Sequence, residues 1–304
     1  MATSTASTGT LAATDTPPDP AKRPLRGTSF YDPTVEFSLA GGTGGPFETL
    51  ADLDRYVHAV AEAGFTSVSL GQQQVAAAGT DSRAIETVAA LVDRSGLRCS
   101  DVVSLLVRRD DESTVSAARQ IARTAEVLGA DFVLTLLYTK VSEESVDRLG
   151  RCAEIVRASG ARLAVEFAPT GAIDSIGAAL SIVDQIGPER AGLLIDSWHF
   201  FRGPSEWQDL ETVPLERIAF VQFDDALAPL SDDIMVETVN RRTWPGEGSL
   251  DLVRFADTLT GRGWDGMVSV EVLSSEHRQL DVATFARLAF QTSQPFWTGE
   301  AVQP

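Results

Sequence analysis

Cysteine is scarce in this chain: Cys99 and Cys152 are the only two among 304 residues. Two cysteines cannot form a disulfide framework, and both read as free packing residues, Cys152 within a helix and Cys99 near the start of a strand. Lysine is equally scarce, at Lys22 and Lys140, and the formal net charge is −18. That balance argues against binding nucleic acid through its phosphates, which requires a basic surface. No apolar run reaches the roughly 18 residues that a membrane-spanning helix needs. The first 29 residues are rich in Ala, Thr, Ser and Pro and have no continuous apolar stretch. They read as a disordered tail rather than a secretory signal, and a transit peptide is disfavoured by few arginines and by Asp15 and Asp19. The expected compartment is the cytoplasm.

What is present is ordinary for a globular protein: 43% hydrophobic and 22% charged residues, enough for one large α/β domain or for two. Short apolar runs alternate with helical patterns along the chain. Strands are expected at 37–40, 65–70, 100–107, 131–138, 162–167, 192–195, 218–223 and 267–272. Between them lie helical stretches, several ending at a glycine such as Gly64, Gly96, Gly129 or Gly160. Pro46 suits the first turn of the first helix, Ser142 caps the fourth, and Ser249 caps the helix that carries Leu252, Phe255, Ala256 and Leu259. Eight apolar strands with intervening helices and no long hairpins point to a (β/α)8 TIM barrel, a single domain over 30–304 behind the tail of 1–29. The rival is a doubly wound open sheet. Gly41 to Gly45 superficially offers its phosphate turn but lacks the ordered glycine spacing, and the second strand ends Leu70-Gly71-Gln72 with no acid.

Four polar residues interrupt the later strands near their C-terminal ends: Glu166, Asp196, Gln222 and Glu271. In a barrel those ends converge on the active-site face. Three carboxylates gathered there would repel one another and resist desolvation, and a divalent cation relieves both problems. The bland alternative is that each acid pairs with an arginine or caps a helix.

At these residues the chain resembles the xylose-isomerase-like superfamily of sugar isomerases and epimerases, whose members include hydroxypyruvate isomerases, tagatose epimerases, and inosose and dehydroshikimate dehydratases. The resemblance covers roughly 35–292. It rests on Leu163-Ala164-Val165-Glu166, Ile195-Asp196-Ser197-Trp198-His199, Val221-Gln222-Phe223-Asp224-Asp225, Arg242-Thr243-Trp244-Pro245-Gly246-Glu247-Gly248 and Ser269-Val270-Glu271. It implies one divalent metal ion held by Glu166, Asp196, Gln222 and Glu271. Many relatives have His where Gln222 stands, and an all-oxygen shell favours Mn²⁺ or Mg²⁺ over Zn²⁺. By the same resemblance His199 contacts substrate or acts as acid/base, and Arg242, or its neighbour Arg241, reaches substrate oxygens. Trp198, Phe200, Phe201 and Trp244 read either as an apolar pocket wall or as packing. His58 belongs on the surface, His277 has no assigned role, and the segment from Asp225 to Arg242 is expected to form part of a lid.

The expected partner is a small polyhydroxylated carbonyl compound, with no nucleic acid and no membrane; relatives are commonly dimers or tetramers, so a homo-oligomer is in view. With Glu166 and Glu271 moving a proton next to a carbonyl, an enediolate leads to isomerisation or epimerisation. A dehydratase that uses His199 as base shares every named residue, and a non-catalytic metal-binding subunit is the third reading.

Overall fold

A computed structural model describes residues 35–40, 48–76, 78–79 and 82–299. The tail of 1–29 and the glycine turn 41–45 lie outside the described residues. In chain order the elements are β1 (Glu36–Leu39), α1 (Leu50–Ala63), β2 (Ser67–Gly71), α2 (Gln72–Ala76), α3 (Ser82–Arg94), β3 (Arg98–Val107), α4 (Asp111–Leu128), β4 (Phe132–Leu137), α5 (Glu143–Arg157), β5 (Arg162–Glu166) and α6 (Ile176–Ile186). There follow β6 (Ala191–Asp196), α7 (Ser197–Arg202), α8 (Trp207–Thr212), β7 (Ile218–Phe223), β8 (Asp225–Ala226), α9 (Ile234–Asn240), β9 (Arg242–Thr243), α10 (Leu252–Thr260), β10 (Met267–Val270) and α11 (Val282–Thr298). Eight strands close a parallel barrel in the order β1-β10-β7-β6-β5-β4-β3-β2, and β8 with β9 forms a separate antiparallel ribbon. The open-sheet rival is thereby excluded.

The barrel follows from strands that are apolar on both faces. One set of side chains packs inside it: Leu134, Ala164, Leu194, Ala219, Phe220 and Met267. The other set meets the surrounding helices in a continuous outer core that includes Val133, Leu163, Val165, Leu193, Ile195, Val221 and Val268. Closure of the helical ring is aromatic. Phe290 of α11 packs edge-on against Phe37 and Phe65, at 5.6 and 5.2 Å between centroids. Gly64, which ends α1 at φ 109°, lies under that ring; a Cβ there would come within 2.9 Å of Phe290, so both conformation and space call for glycine.

Helix starts are set by short polar caps, and here one expectation needs correction. Helix α1 begins at Leu50 under a Thr49–Asp52 capping box, and Pro46, expected at its start, lies outside the described residues. Helix α10 is capped by Asp251, which accepts the Arg254 N–H at 3.3 Å. Ser249 instead donates both its N–H and its hydroxyl to the Ala226 carbonyl, fastening the chain to the ribbon. Ser142 does cap α5 as expected. Both cysteines are buried and free, and among the described residues no helix is long and apolar enough to cross a membrane.

Candidate active site

Four barrel strands deliver polar side chains to one end. Glu166 closes β5 and Asp196 closes β6. Gln222 pairs with Asp196 across β6–β7 and with Ser269 across β7–β10. Glu271 lies just past β10, and its N–H continues the ladder to the Phe223 carbonyl at 3.2 Å. Glu166, Asp196 and Gln222 are buried, and the Glu271 side chain is 13% exposed.

Asp196 is the hub. Its Oδ1 caps α7 by accepting the His199 N–H at 3.0 Å, which leaves Oδ2 turned to two cations. Arg242 Nη1 lies 2.8 Å from that oxygen, and His199 Nε2 lies 3.9 Å away. The same imidazole nitrogen is 3.2 Å from Glu166 Oε1. The same guanidinium nitrogen also donates to Asp224 Oδ2, and to Glu271 Oε2 at 3.1 Å. Arg242 is held from behind as well, through Nε to the Thr238 carbonyl at 3.0 Å and Nη2 to Thr238 Oγ1 at 3.1 Å.

Four carboxyls (Glu166, Asp196, Asp224 and Glu271) therefore face two basic groups, the Arg242 guanidinium and the His199 imidazole. Fully ionised, the cluster would carry two excess negative charges in a buried place, which is costly. Protons fill the gap. Burial pushes Glu271 up to about 8 against the pull of Arg242. Burial likewise drives Asp224 well above the ordinary carboxylate range despite Arg242, with Asp196 adding to the rise. Burial would raise Asp196 too, but Arg242, His199 and the His199 N–H together hold it below its ordinary value. Burial opposes the charged form of His199, yet Asp196 and Glu166 keep the imidazole pKa raised. Divergent shifts of this kind in neighbouring acids are typical of acid/base sites.

The side chains that could hold a metal fall in two groups that share Asp196. Glu166, Asp196 and His199 form one and Asp196, Asp224 and Glu271 the other, with ligand atoms within 4.8 Å of each other in each. Gln222 joins them through its amide, which donates to Glu271 Oε1 at 2.9 Å. Its Oε1 is buried and accepts no hydrogen bond from the protein. An acceptor buried without a donor fits a cation ligand. A divalent ion also supplies the two positive charges the cluster lacks.

The other expected residues divide. Arg242, not Arg241, enters the site; Arg241 pairs outside it with Glu237 at 3.0 Å and the Ala228 carbonyl. Trp198 is buried, with the Arg242 guanidinium 5.4 Å over its ring and His199 edge-on at 5.3 Å. Trp244 is buried elsewhere, stacked on His277 at 4.4 Å and edge-on to Phe285 of α11. Phe200 and Phe201 pack with Trp207 and Phe255 between α7, α8 and α10. His58 is exposed as expected. His277, left without a role, meets Thr243 Oγ1 at 3.2 Å and braces the ribbon. The segment expected to act as a lid folds into β8, α9 and β9 and carries Arg242 inward.

Two acids escaped the sequence reading. Asp224 is the third carboxylate on Arg242 and is fixed by Ser197 Oγ at 3.1 Å. Asp225 collects the N–H groups of Ala226, Gly246, Gly248 and Leu250 at 2.8–3.1 Å. The signal available was two consecutive acids directly after a barrel strand.

The family described as the xylose isomerase-like TIM barrel matches residues 57–290. The chain belongs to this family. Among curated relatives, inosose isomerase of Halalkalibacterium halodurans is 27% identical over 191 residues, covering 59% of this chain and 66% of that one. A 3-dehydroshikimate dehydratase of Pseudomonas aeruginosa is 28% identical over 159 residues, covering 50% of this chain and 25% of the other. The chain thus spans just under two thirds of the first relative and a quarter of the second. Among solved structures, IOLI protein with a zinc atom bound superposes with a TM-score of 0.77 at 20% identity, over 88% of this chain and all of the other. That likeness confirms the barrel.

Proposed function

We propose that this family member is a divalent-metal-dependent isomerase or epimerase of a keto sugar or related hydroxy-carbonyl compound. The observation that carries this reading is the pair of carboxyls on either side of Asp196 and Gln222 around the barrel, each with its own hydrogen-bond partner. Glu166 faces His199 Nε2 at 3.2 Å, and Glu271 faces the Gln222 amide at 2.9 Å. The inosose isomerase relative supports the same class of chemistry.

Glu166, Asp196, Gln222 and Glu271 would hold the ion through oxygens, a donor set that favours Mn²⁺ or Mg²⁺. Such an ion supplies polarisation of a carbonyl and acidifies the neighbouring C–H. The chain's residues do the rest. One of Glu166 and Glu271 removes a proton next to the carbonyl, giving an enediolate, and the other returns it. Return to the adjacent carbon isomerises; return to the opposite face epimerises. Arg242, fixed by Thr238 and Asp224, presents a rigid guanidinium to the charge that develops on oxygen. His199, whose pKa Asp196 and Glu166 raise against the effect of burial, donates to a substrate hydroxyl or oxyanion. Trp198 closes the apolar side of the Arg242 guanidinium, and Trp244 shapes the site indirectly through the ribbon.

The dehydratase relative favours a second reading, in which His199 takes the proton and a β-hydroxyl leaves as water. Both are tested by NMR and mass spectrometry of linear and cyclic hydroxy ketones incubated with the protein and Mn²⁺ in deuterated water. Deuterium next to the carbonyl, with the composition otherwise unchanged, is the expected result. Loss of one water assigns the lyase. Binding without exchange or turnover across the panel overturns the enzymatic reading and leaves an accessory, metal-binding role.

A further inference from the structure

We propose that Arg242 fills a second cation position, formed by Asp196, Asp224 and Glu271, and thereby limits the centre to one metal ion. The proposal rests on the metal-dependent reading above. Three carboxylate oxygens, two of them on fully buried side chains, meet here within 4.8 Å, a spacing that a metal ion could bridge. A single nitrogen, Arg242 Nη1, sits among all three. The guanidinium is 2% exposed, so no solvent screens it from them. Beside the cluster the Gln222 amide, buried to 1% exposure, has an Oε1 that no protein donor meets.

Charge arithmetic separates the two positions. The second position gathers three carboxyls around one fixed positive charge, Arg242, whereas the group of Glu166, Asp196 and His199 has no arginine of its own beyond the one shared through Asp196. Without Arg242 those three carboxylates lose their one fixed counter-charge, and a second divalent ion can take its place. Asp224 is the acid that distinguishes the second position. It belongs to the group with Asp196 and Glu271, has no place in the group with Glu166 and His199, and is locked by Ser197 through both its carboxylate and its backbone. Arg242 is likewise preset by Thr238 from the far side. A side chain anchored at both ends in this way behaves as a permanent counter-ion, whereas a metal exchanges with solvent. The consequence is a mononuclear centre in which one positive charge stays with the Asp196–Asp224–Glu271 group whether or not metal is bound.

The test is the number of Mn²⁺ ions bound per chain, by equilibrium dialysis with metal analysis, on the full-length protein. Wild type and Arg242→Lys are expected to bind one ion, Arg242→Ala two, and the double variant Arg242→Ala/Asp224→Asn one again. Arg242→Ala is also expected to lose thermal stability when metal-free and to recover it in Mn²⁺ more fully than wild type gains. If Arg242→Ala does not accumulate as folded protein, Arg242→Gln carries the same count. One ion in wild type and still one in both Arg242→Ala and Arg242→Gln overturns the proposal, as does a wild type that already binds two. No ion in wild type but one in Arg242→Ala, abolished by Asp224→Asn, supports the second position while defeating the metal-dependent reading itself.

Discussion

Asp101 shows how far a single buried acid can depart from its neighbours. It sits in β3, almost fully buried, and its carboxylate accepts hydrogen bonds from Ser69 at 2.7 Å and Ser100 at 2.8 Å. Ser100 in turn shares a hydrogen bond with Ser38. Burial outweighs those hydroxyls and pushes the acid up to about 6. A carboxyl whose folded pKa is raised favours the protonated native state, so its contribution is complete below the unfolded value and is lost as pH rises through about 6. Asp101→Asn is therefore expected to stabilise the metal-free protein at pH 8 by roughly 1–3 kcal/mol and to do little at pH 4. Denaturant unfolding at both pH values checks this; equal effects at the two would show that the acid is not carrying the cost. The site acids were legible in the sequence because each breaks an apolar run at the end of a strand. Asp224 was not, since a loop acid gains meaning only from Arg242, eighteen residues on.

The ribbon is the element on which the site depends and the one least visible in sequence. Strands of two residues show no periodicity, so β8 and β9 could not be read within the Asp225–Arg242 segment. What fixes it is Asp225, whose carboxylate ties four backbone N–H groups and pulls 246–250 against β8. That packing is close enough that a Cβ on Gly248 would fall within 2.2 Å of Asp225 Oδ1 and 2.6 Å of the Ala226 carbonyl. Gly248→Ala is expected to cost about 1–3 kcal/mol by overpacking. It should also lower turnover more than its loss of stability explains, because β9 carries Arg242. A melting curve and a rate on the same sample decide it; unchanged values for both would mean that the ribbon yields. The Ser249 cap was misplaced for a related reason. Ser249 and Asp251 are both good caps, and the tie between Ser249 and Ala226 leaves the role to Asp251.

For the whole molecule, alternation of apolar strands with helices was enough to establish the barrel, because a parallel sheet buried on both faces leaves few other solutions. The family match over 57–290 agrees. The chemistry is less determined by fold, since the same barrel carries isomerases and dehydratases alike. It resides in the charge balance at the barrel mouth, where four carboxyls await more positive charge than Arg242 and His199 provide. The most direct measurement is metal content and turnover of wild type and Glu271→Gln, determined on the same preparations with and without added Mn²⁺. We expect wild type to hold one ion and to be inactive once stripped, and Glu271→Gln to bind the ion more weakly and to lose about 10²-fold or more in rate. Full activity in the stripped wild type, or a Glu271→Gln variant equal to it in both metal and rate, would contradict the account.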